Sequence, residues 1–340
     1  MRGVLGRLIA TAHGRCEARA LILLYHRVAE LPRDPWGLAV TPTHFREHLA
    51  VLRRCGVPIT LRALVDALRG GRIRRGVIAV TFDDGYADNA SAALPLLERY
   101  DVAATCFVTT GAIASPREFW WDELERVVLE PAILPGELRV GLAGQEHVWK
   151  LADGAPPIGP IRADWRAWED DPNPRAALYR WVYERLFPLP EHERRAVLDG
   201  LSTWAGRDDE VRATHRPLGL EELARLAQSP GIEVGAHAVT HTPLSALSPP
   251  AQDGEIRESK RRLETLIGRP IESFAYPYGR PSDWDLETPA RVRDAGFGCA
   301  CTTVREAVQS ASDLFQLPRL GVPDCNGDAF ERMLKSWLTG

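Results

Sequence analysis

At 340 residues, with 45% hydrophobic and 26% charged side chains, the chain can bury a sizeable core and has the composition of an ordinary soluble globular protein. A formal net charge of −4 argues against nucleic acid as the main partner, whereas carbohydrate or another neutral small molecule needs no steering field. No run approaches the roughly 18 apolar residues of a membrane span.

Residues 1–10 are basic, but their apolar stretch is broken by Arg7 and is too short for the core of a signal peptide. A cytoplasmic location is expected, or a membrane-peripheral one in which residues 1–19 lie on the surface as a short basic amphipathic segment; an exported location stays open. The remainder, 20–340, is expected to be one domain carrying an insertion. Residues 20–25, Ala-Leu-Ile-Leu-Leu-Tyr, form the continuous apolar run of a strand buried on both faces, ending at His26-Arg27. Thr41-Pro42-Thr43 opens a helix with Phe45, Leu49 and Leu52 on one face, and after Val57-Pro58-Ile59 a second helix over 61–68 is stopped by Gly70-Gly71. A buried strand over 77–80 runs into Thr81-Phe82-Asp83-Asp84-Gly85-Tyr86, followed by a helix over 92–99 and a strand over 103–108. Strands alternating with helices are the sequence form of a parallel sheet with crossovers, so the fold class is α/β, a barrel or a doubly wound sheet.

From about 112 to 217 the rhythm changes. Strand patterns vanish, and Trp120, Trp121, Trp149, Trp165, Trp168, Trp181 and Trp204 crowd beside helical runs. A mostly helical, Trp-rich insertion is expected there, with a polar, Pro-rich centre at 153–174. Its tryptophans either pack the insertion on the main domain or stack on sugar rings, and packing is the safer expectation because tryptophan buries so much area. Alternation resumes with a helix over 220–227, a strand over 232–235, a helix over 255–267, a strand over 273–276, a helix over 284–295, a strand over 297–302 and a last helix over 328–338. The six cysteines, at 16, 55, 106, 299, 301 and 325, lack metal-ligand spacing and read as buried thiols.

Asp83-Asp84 therefore stands at the C-terminal edge of a buried strand, where α/β proteins house their chemistry. Buried carboxylates demand a partner or a metal. His237 and His241 follow another strand end, four apart, the separation that places two imidazoles on one side of a helical turn. Alone, such a pair reads as surface or core histidines. Together with a strand-end carboxylate it makes a divalent site with positions left open for water and substrate.

Thr81-Phe82-Asp83-Asp84-Gly85, residues 237–241 and Phe274-Ala275-Tyr276-Pro277-Tyr278-Gly279, in that order, resemble the polysaccharide deacetylases, the NodB-homology proteins of carbohydrate esterase family 4. Leu24-Tyr25-His26-Arg27-Val28 and Leu317-Pro318-Arg319 look like the branch that includes the poly-N-acetylglucosamine deacetylases. The resemblance covers roughly 20–110 and 218–322. It implies a distorted (β/α) barrel of the NodB type, with Asp83 as general base and Asp84, His237 and His241 as ligands of a divalent metal. Zn2+ is expected, with Co2+, Ni2+ or Mn2+ as substitutes. A dication lowers the pKa of bound water from 15.7 towards about 7, and Asp83 can take that water's proton. The backbone N–H of Tyr278 is a candidate oxyanion donor. The family's usual acid, a histidine in a C-terminal Leu-x-His motif, is missing, since no histidine follows 241; His26 is the candidate substitute, or else a capping imidazole. Ala275 stands where many relatives carry an arginine that holds the base, and Arg319 is the candidate for that role, or a surface pair. His13, His44, His48, His147, His192 and His215 are assigned no function.

The resulting expectation is a metal-dependent hydrolase removing N-acetyl groups from an acetamido sugar in a polymer, an oligomer, or a lipid- or nucleotide-linked form. An O-acetyl esterase and a silent carbohydrate-binding barrel are the alternatives; the former has less need of an acid, and the latter has no need of Asp83.

Overall fold

An apolar run such as Leu21–Tyr25 is stable only where both faces are covered, and the computed structural model, which describes residues 19–142, 144–151, 164–207 and 211–339, covers them. The chain runs β1 (Leu21–Tyr25), the short parallel pair β2 (Arg27–Val28) and β3 (Ala39–Val40), α1 (Pro42–Cys55), β4 (Val57–Ile59), α2 (Leu61–Arg69), β5 (Val77–Phe82), a π-helical turn into α3 (Leu94–Tyr100), and β6 (Ala104–Val108). Then come α4 (Trp120–Val128), the antiparallel hairpin β7 (Glu137–Leu142) and β8 (Gln145–Lys150), α5 (Pro174–Leu186) and α6 (Glu191–Trp204). The main alternation returns with α7 (Leu220–Gln228), β9 (Ile232–Ala236), α8 (Pro249–Ile267), β10 (Ser273–Ala275), α9 (Thr288–Asp294), β11 (Cys299–Cys301), β12 (Leu320–Gly321) and α10 (Gly327–Thr339).

One parallel sheet carries the order β11-β10-β9-β6-β5-β1-β12, with β4 added to the first half of β5. Residues 314–321 stitch its two edges together. Leu317 exchanges backbone hydrogen bonds with Ala300 and Thr302 at the β11 edge (2.9 Å each), and the chain then joins β1 as β12 at the other. The sheet is thereby curled into the distorted barrel that the fold class implied. Alternate residues face two different cores. Leu21, Leu23 and Tyr25, like Ile78, Val80 and Phe82, pack under the helices outside, whereas Ile22, Ala79, Phe107, Ala275 and Cys301 face inward, where α2 contributes Leu64, Val65 and Leu68. Gly235 belongs to this crowded interior: a Cβ there would stand 2.4 Å from the Phe107 ring.

Several expectations need correction. The insertion contains the β7–β8 hairpin. Leu138, Val140 and Leu142 alternate inward, but charged residues and Gly141 between them mask the strand pattern. Helix α8 begins six residues earlier than its apolar period, because Pro249 at its first position is preset for a helix start. Helix α9 starts later, since the Asp285 carboxylate accepts from the Glu287 and Thr288 N–H groups and makes a turn of the segment before it. Residues 1–18, with Cys16, and the first half of the Pro-rich centre at 153–174 lie outside the described residues. No described helix is long and apolar enough to cross a membrane, and the five described cysteines are free thiols.

His48 locks α1 to the chain that follows β12. Its Nε2 donates to the Cys325 carbonyl (2.7 Å), its Nδ1 faces the Tyr25 hydroxyl (3.3 Å), and its ring stacks on Phe330. Burial lowers its pKa to about 4 from an ordinary value of 6.5. A depressed histidine stabilises the fold fully above the unfolded pKa, and that contribution is lost as pH falls through 6.5 towards 4. Urea unfolding is expected to show a loss of up to about 3 kcal/mol across this window, and His48→Gln, which cannot take a proton, is expected to flatten it. An unchanged pH slope in the variant would contradict this account.

Candidate active site

Inward parity decides what enters the barrel mouth. Asp83 continues the inward series of Ala79 and Thr81 past the end of β5, and His237 continues that of Glu233 and Gly235 past β9. Asp84 has the wrong parity for a strand continuation, and it reaches the same mouth because its backbone turns to φ 71°. The structure thus brings Asp84, His237 and His241 together, with one ligand atom from each within 4.8 Å of the others and all three buried.

The histidines do not share a helical turn. Residues 237–243 form an irregular loop in which Ala238 and His241 take positive φ (59° and 55°), and the His237 and His241 rings stand edge to face with centroids 4.8 Å apart. Such backbone is costly for non-glycine residues, and its bonds hold it in place. Glu255 of α8 accepts from the Val239 N–H (2.7 Å), the Thr240 N–H (2.9 Å) and the Thr240 hydroxyl (2.8 Å). Gly111 donates to the Val239 carbonyl at a spot where a Cβ would lie 2.5 Å from that oxygen.

The donor set fits a divalent cation. His237 Nδ1 lies 2.8 Å from the Ala275 carbonyl, which can only accept, so a neutral imidazole carries its proton on Nδ1 and turns the Nε2 lone pair towards Asp84 Oδ1, 3.5 Å away. His241 Nε2 faces the same oxygen at 3.2 Å. Lone pairs converging on a carboxylate oxygen repel unless a positive charge sits among them. When no cation stands between them, protonated histidines can instead donate Nε2–H to Asp84, and against the effect of burial they then hold its carboxyl far below the usual range.

Asp83 is held differently. The Arg319 guanidinium grips it with two donors, Nη1 to Oδ1 at 2.7 Å and Nη2 to Oδ2 at 2.6 Å, and also donates to the Thr81 hydroxyl and the Thr302 carbonyl. Burial works against ionisation here too, yet Arg319 and His237 keep the carboxyl below its ordinary pKa. Its Oδ2 lies 3.9 Å from His237 Nε2. Arg319 is fully buried, so the surface-pair alternative falls.

His26 and Tyr278 line the same cavity of about 680 Å3 as Asp83, Asp84, His237 and His241. The His26 carbonyl accepts from Asn89 Nδ2 (2.8 Å), which fixes the backbone after β1. Tyr278 takes φ 59°. Burial raises its phenol, whose oxygen accepts from Trp120 Nε1 (3.2 Å). A second cavity of about 560 Å3 opens beside Arg62, Glu233 and Arg269 and contains none of these groups.

Sequence reasoning missed Glu255, which has no motif around it, and most of the cavity wall. Trp121 packs on His241 (4.8 Å), and Trp36, Tyr183 and Phe187 line the cavity. It also missed Asp122, the neighbour of Trp121 in α4, which accepts from the Tyr86 hydroxyl (2.6 Å) and whose pKa desolvation raises to about 7. Of the tryptophans, Trp120, Trp121 and Trp165 are packed as expected, whereas Trp168 is largely exposed.

The family model described as polysaccharide deacetylase matches residues 70–134 and 191–300, leaving the middle of the insertion unmatched. YxkH of Bacillus subtilis (strain 168), which bears a polysaccharide deacetylase name, is 27% identical over 117 residues, 34% of this chain; the match spans 40% of that curated relative's length. Among solved structures, the Streptococcus pyogenes deacetylase PplD in complex with acetate is similar with a TM-score of 0.58 and 18% identity, covering 94% of this chain and 99% of that one. IcaB from Ammonifex degensii is similar with a TM-score of 0.56 and 17% identity, covering 95% and 98%. These likenesses show a shared fold.

Arg319→Met leaves Asp83 buried without its counter-charge. The expected outcome is a loss of about 3–5 kcal/mol in urea unfolding at neutral pH. A loss below about 1 kcal/mol would mean that the pair has no structural weight.

Proposed function

Because the chain belongs to the polysaccharide deacetylase family, we propose that it is a metal-dependent hydrolase that removes N-acetyl groups from acetamido sugar units of a glycan or glycoconjugate. Asp84, His237 and His241 are the ligands, and zinc suits a site of two imidazoles and one carboxylate with positions left open. When bound, the cation supplies a water of lowered pKa and a Lewis acid for the acetamide carbonyl.

The chain's own groups carry the rest of the reaction. Asp83, ionised and aimed by Arg319, takes the proton of the attacking water as a general base. The Tyr278 N–H donates to the oxyanion that develops on the acetyl oxygen. The C–N bond then breaks only if the nitrogen is protonated, because an amide anion is too basic to leave, and His26 is the donor on the same cavity. Acetate and a free amine result. The single observation that best supports this reading is that two adjacent buried carboxylates are held for different tasks, Asp83 by a guanidinium and Asp84 by two imidazoles.

Acetate release from zinc-loaded protein given N-acetylglucosamine oligomers and, separately, an O-acetylated sugar tests the reading. Chelation is expected to abolish release and zinc to restore it. Asp83→Asn is expected to lower kcat by about 10² to 10⁴ without changing zinc stoichiometry. His26→Ala is expected to slow the amide more than the ester, since an alkoxide leaves with less help. Release from the ester alone would favour an O-acetyl esterase, and sugar binding with no release from either would favour a silent barrel.

A further inference from the structure

The segment 164–171, Asp-Trp-Arg-Ala-Trp-Glu-Asp-Asp, presents an unusual tryptophan. Trp168 is 62% exposed, yet it lines the cavity that holds the buried ligand triad. An indole exposed at the mouth of a cavity offers an aromatic face to whatever enters it. It is also fixed in place. The Ala167 N–H donates to the Pro35 carbonyl (2.8 Å), and the indole lies against Gly37, where an added Cβ would come within 3.0 Å of the ring. Gly37 has φ 64°, and the turn it makes is braced by Asp34, whose carboxylate accepts from the Leu38 and Ala39 N–H groups (2.9 Å each). Beside Gly37, Trp36 donates to the Tyr179 hydroxyl (2.9 Å) and packs on Tyr183 (4.0 Å).

The surroundings select the occupant. A lipid surface would want a broad apolar patch or basic neighbours, but Trp168 is followed by Glu169, Asp170 and Asp171. Arg180 and Glu184 line the same mouth, with Arg180 held by the Glu169 carbonyl (2.9 Å) and by Asp171. An aromatic face flanked by a cation and a carboxylate matches a pyranose ring, which offers an apolar C–H face to the indole and hydroxyls to the charged groups. A cavity of about 680 Å3 has room for more than one such ring.

We propose that Trp168 is the platform of a second sugar subsite, on which the unit adjoining the acetamido sugar under attack stacks, with Arg180 and Glu184 meeting its hydroxyls. The substrate is then a saccharide of at least two units, and the insertion supplies the preference. This inference rests on the deacetylase reading of the adjoining site.

The test compares β-1,4- and β-1,6-linked N-acetylglucosamine pentamers with the monomer, in zinc-loaded wild type, Trp168→Ala and Trp168→Tyr. Steady-state acetate release gives kcat and KM, and isothermal titration of zinc-loaded Asp83→Asn, with and without each Trp168 substitution, gives Kd. The expected result is that wild type prefers at least one pentamer, and that Trp168→Ala lowers this preference about tenfold through KM and Kd rather than kcat. Trp168→Tyr, which keeps an aromatic face, is expected to restore most of it. A wild type that treats monomer and pentamers alike, or a Trp168→Ala loss equal on both, overturns the subsite. Release of acetate bears on the deacetylase reading alone: a Trp168-dependent preference in Kd without release keeps the subsite, and release with no effect of Trp168 removes it.

Discussion

A guanidinium and a carboxylate, both shut away from water, meet across the seam where the sheet curls on itself. Taking either charge out of water costs several kcal/mol, and their attraction offsets this only with good geometry and with other partners for the remaining donors. Arg319 meets both conditions, with two parallel bonds to Asp83 and further bonds to Thr81 and Thr302. Those partners come from well-separated strands of the sheet. Thr302 follows β11, whereas Asp83 and Thr81 belong to β5 and its end, two strands in from the β12 edge. The segment that closes the barrel through Leu317 therefore also carries, two residues on, the guanidinium that keeps Asp83 charged and aimed.

The metal-ligand side of the mouth stores strain instead. Of the six described non-glycine residues with positive φ, Asp84, Ala238, His241 and Tyr278 lie in or beside the cavity. Each such conformation costs on the order of 1 kcal/mol or more, and each is over-determined by its surroundings. Glu255 ties down the loop between the histidines, and Thr303 holds the Tyr278 carbonyl through its hydroxyl (2.8 Å). Gly279 follows with φ 71°, and a Cβ there would also meet the Thr303 nitrogen at 2.8 Å, so the position takes glycine. Rigid scaffolding of this kind lets loops present ligands as accurately as strands do.

What the sequence made legible follows from how far each residue's neighbours lie along the chain. Apolar runs such as Leu21–Tyr25 and Val77–Phe82 declare buried parallel strands by themselves, so the alternation of the main domain was readable. Asp83, Asp84, His237 and His241 stood out because strand ends are local features, and the structure gathers them in one mouth. The conformation between the histidines was not readable, because a spacing of four suits a helix equally well and Glu255, which decides the matter, sits 14 residues beyond His241 with no motif around it. The β7–β8 hairpin hid behind its charged outer face. The split among the tryptophans was invisible too. Trp165 and Trp168 are three residues apart in one polar stretch, and in the fold Trp165 packs on Tyr179 while Trp168 lies over Gly37 with most of its surface exposed.

The two departures from the family pattern, Ala275 and the missing C-terminal histidine, have one topological explanation. Strands β12, β1 and β5 are adjacent, and Tyr25 pairs with Phe82 in register, with the Asp83 N–H donating to the Tyr25 carbonyl (3.0 Å). His26 thus emerges beside Asp83 from the neighbouring strand, and Arg319 enters just before β12. The proposed acid, the proposed base and the group that holds the base come from this flank, while His237 and His241 come from β9 on the other side of β5. Adjacent Asp83 and Asp84 straddle the divide, one facing each way. Ala275 faces the barrel interior, and its carbonyl accepts from His237 Nδ1. Arg319 supplies from the seam the guanidinium that many relatives carry at position 275.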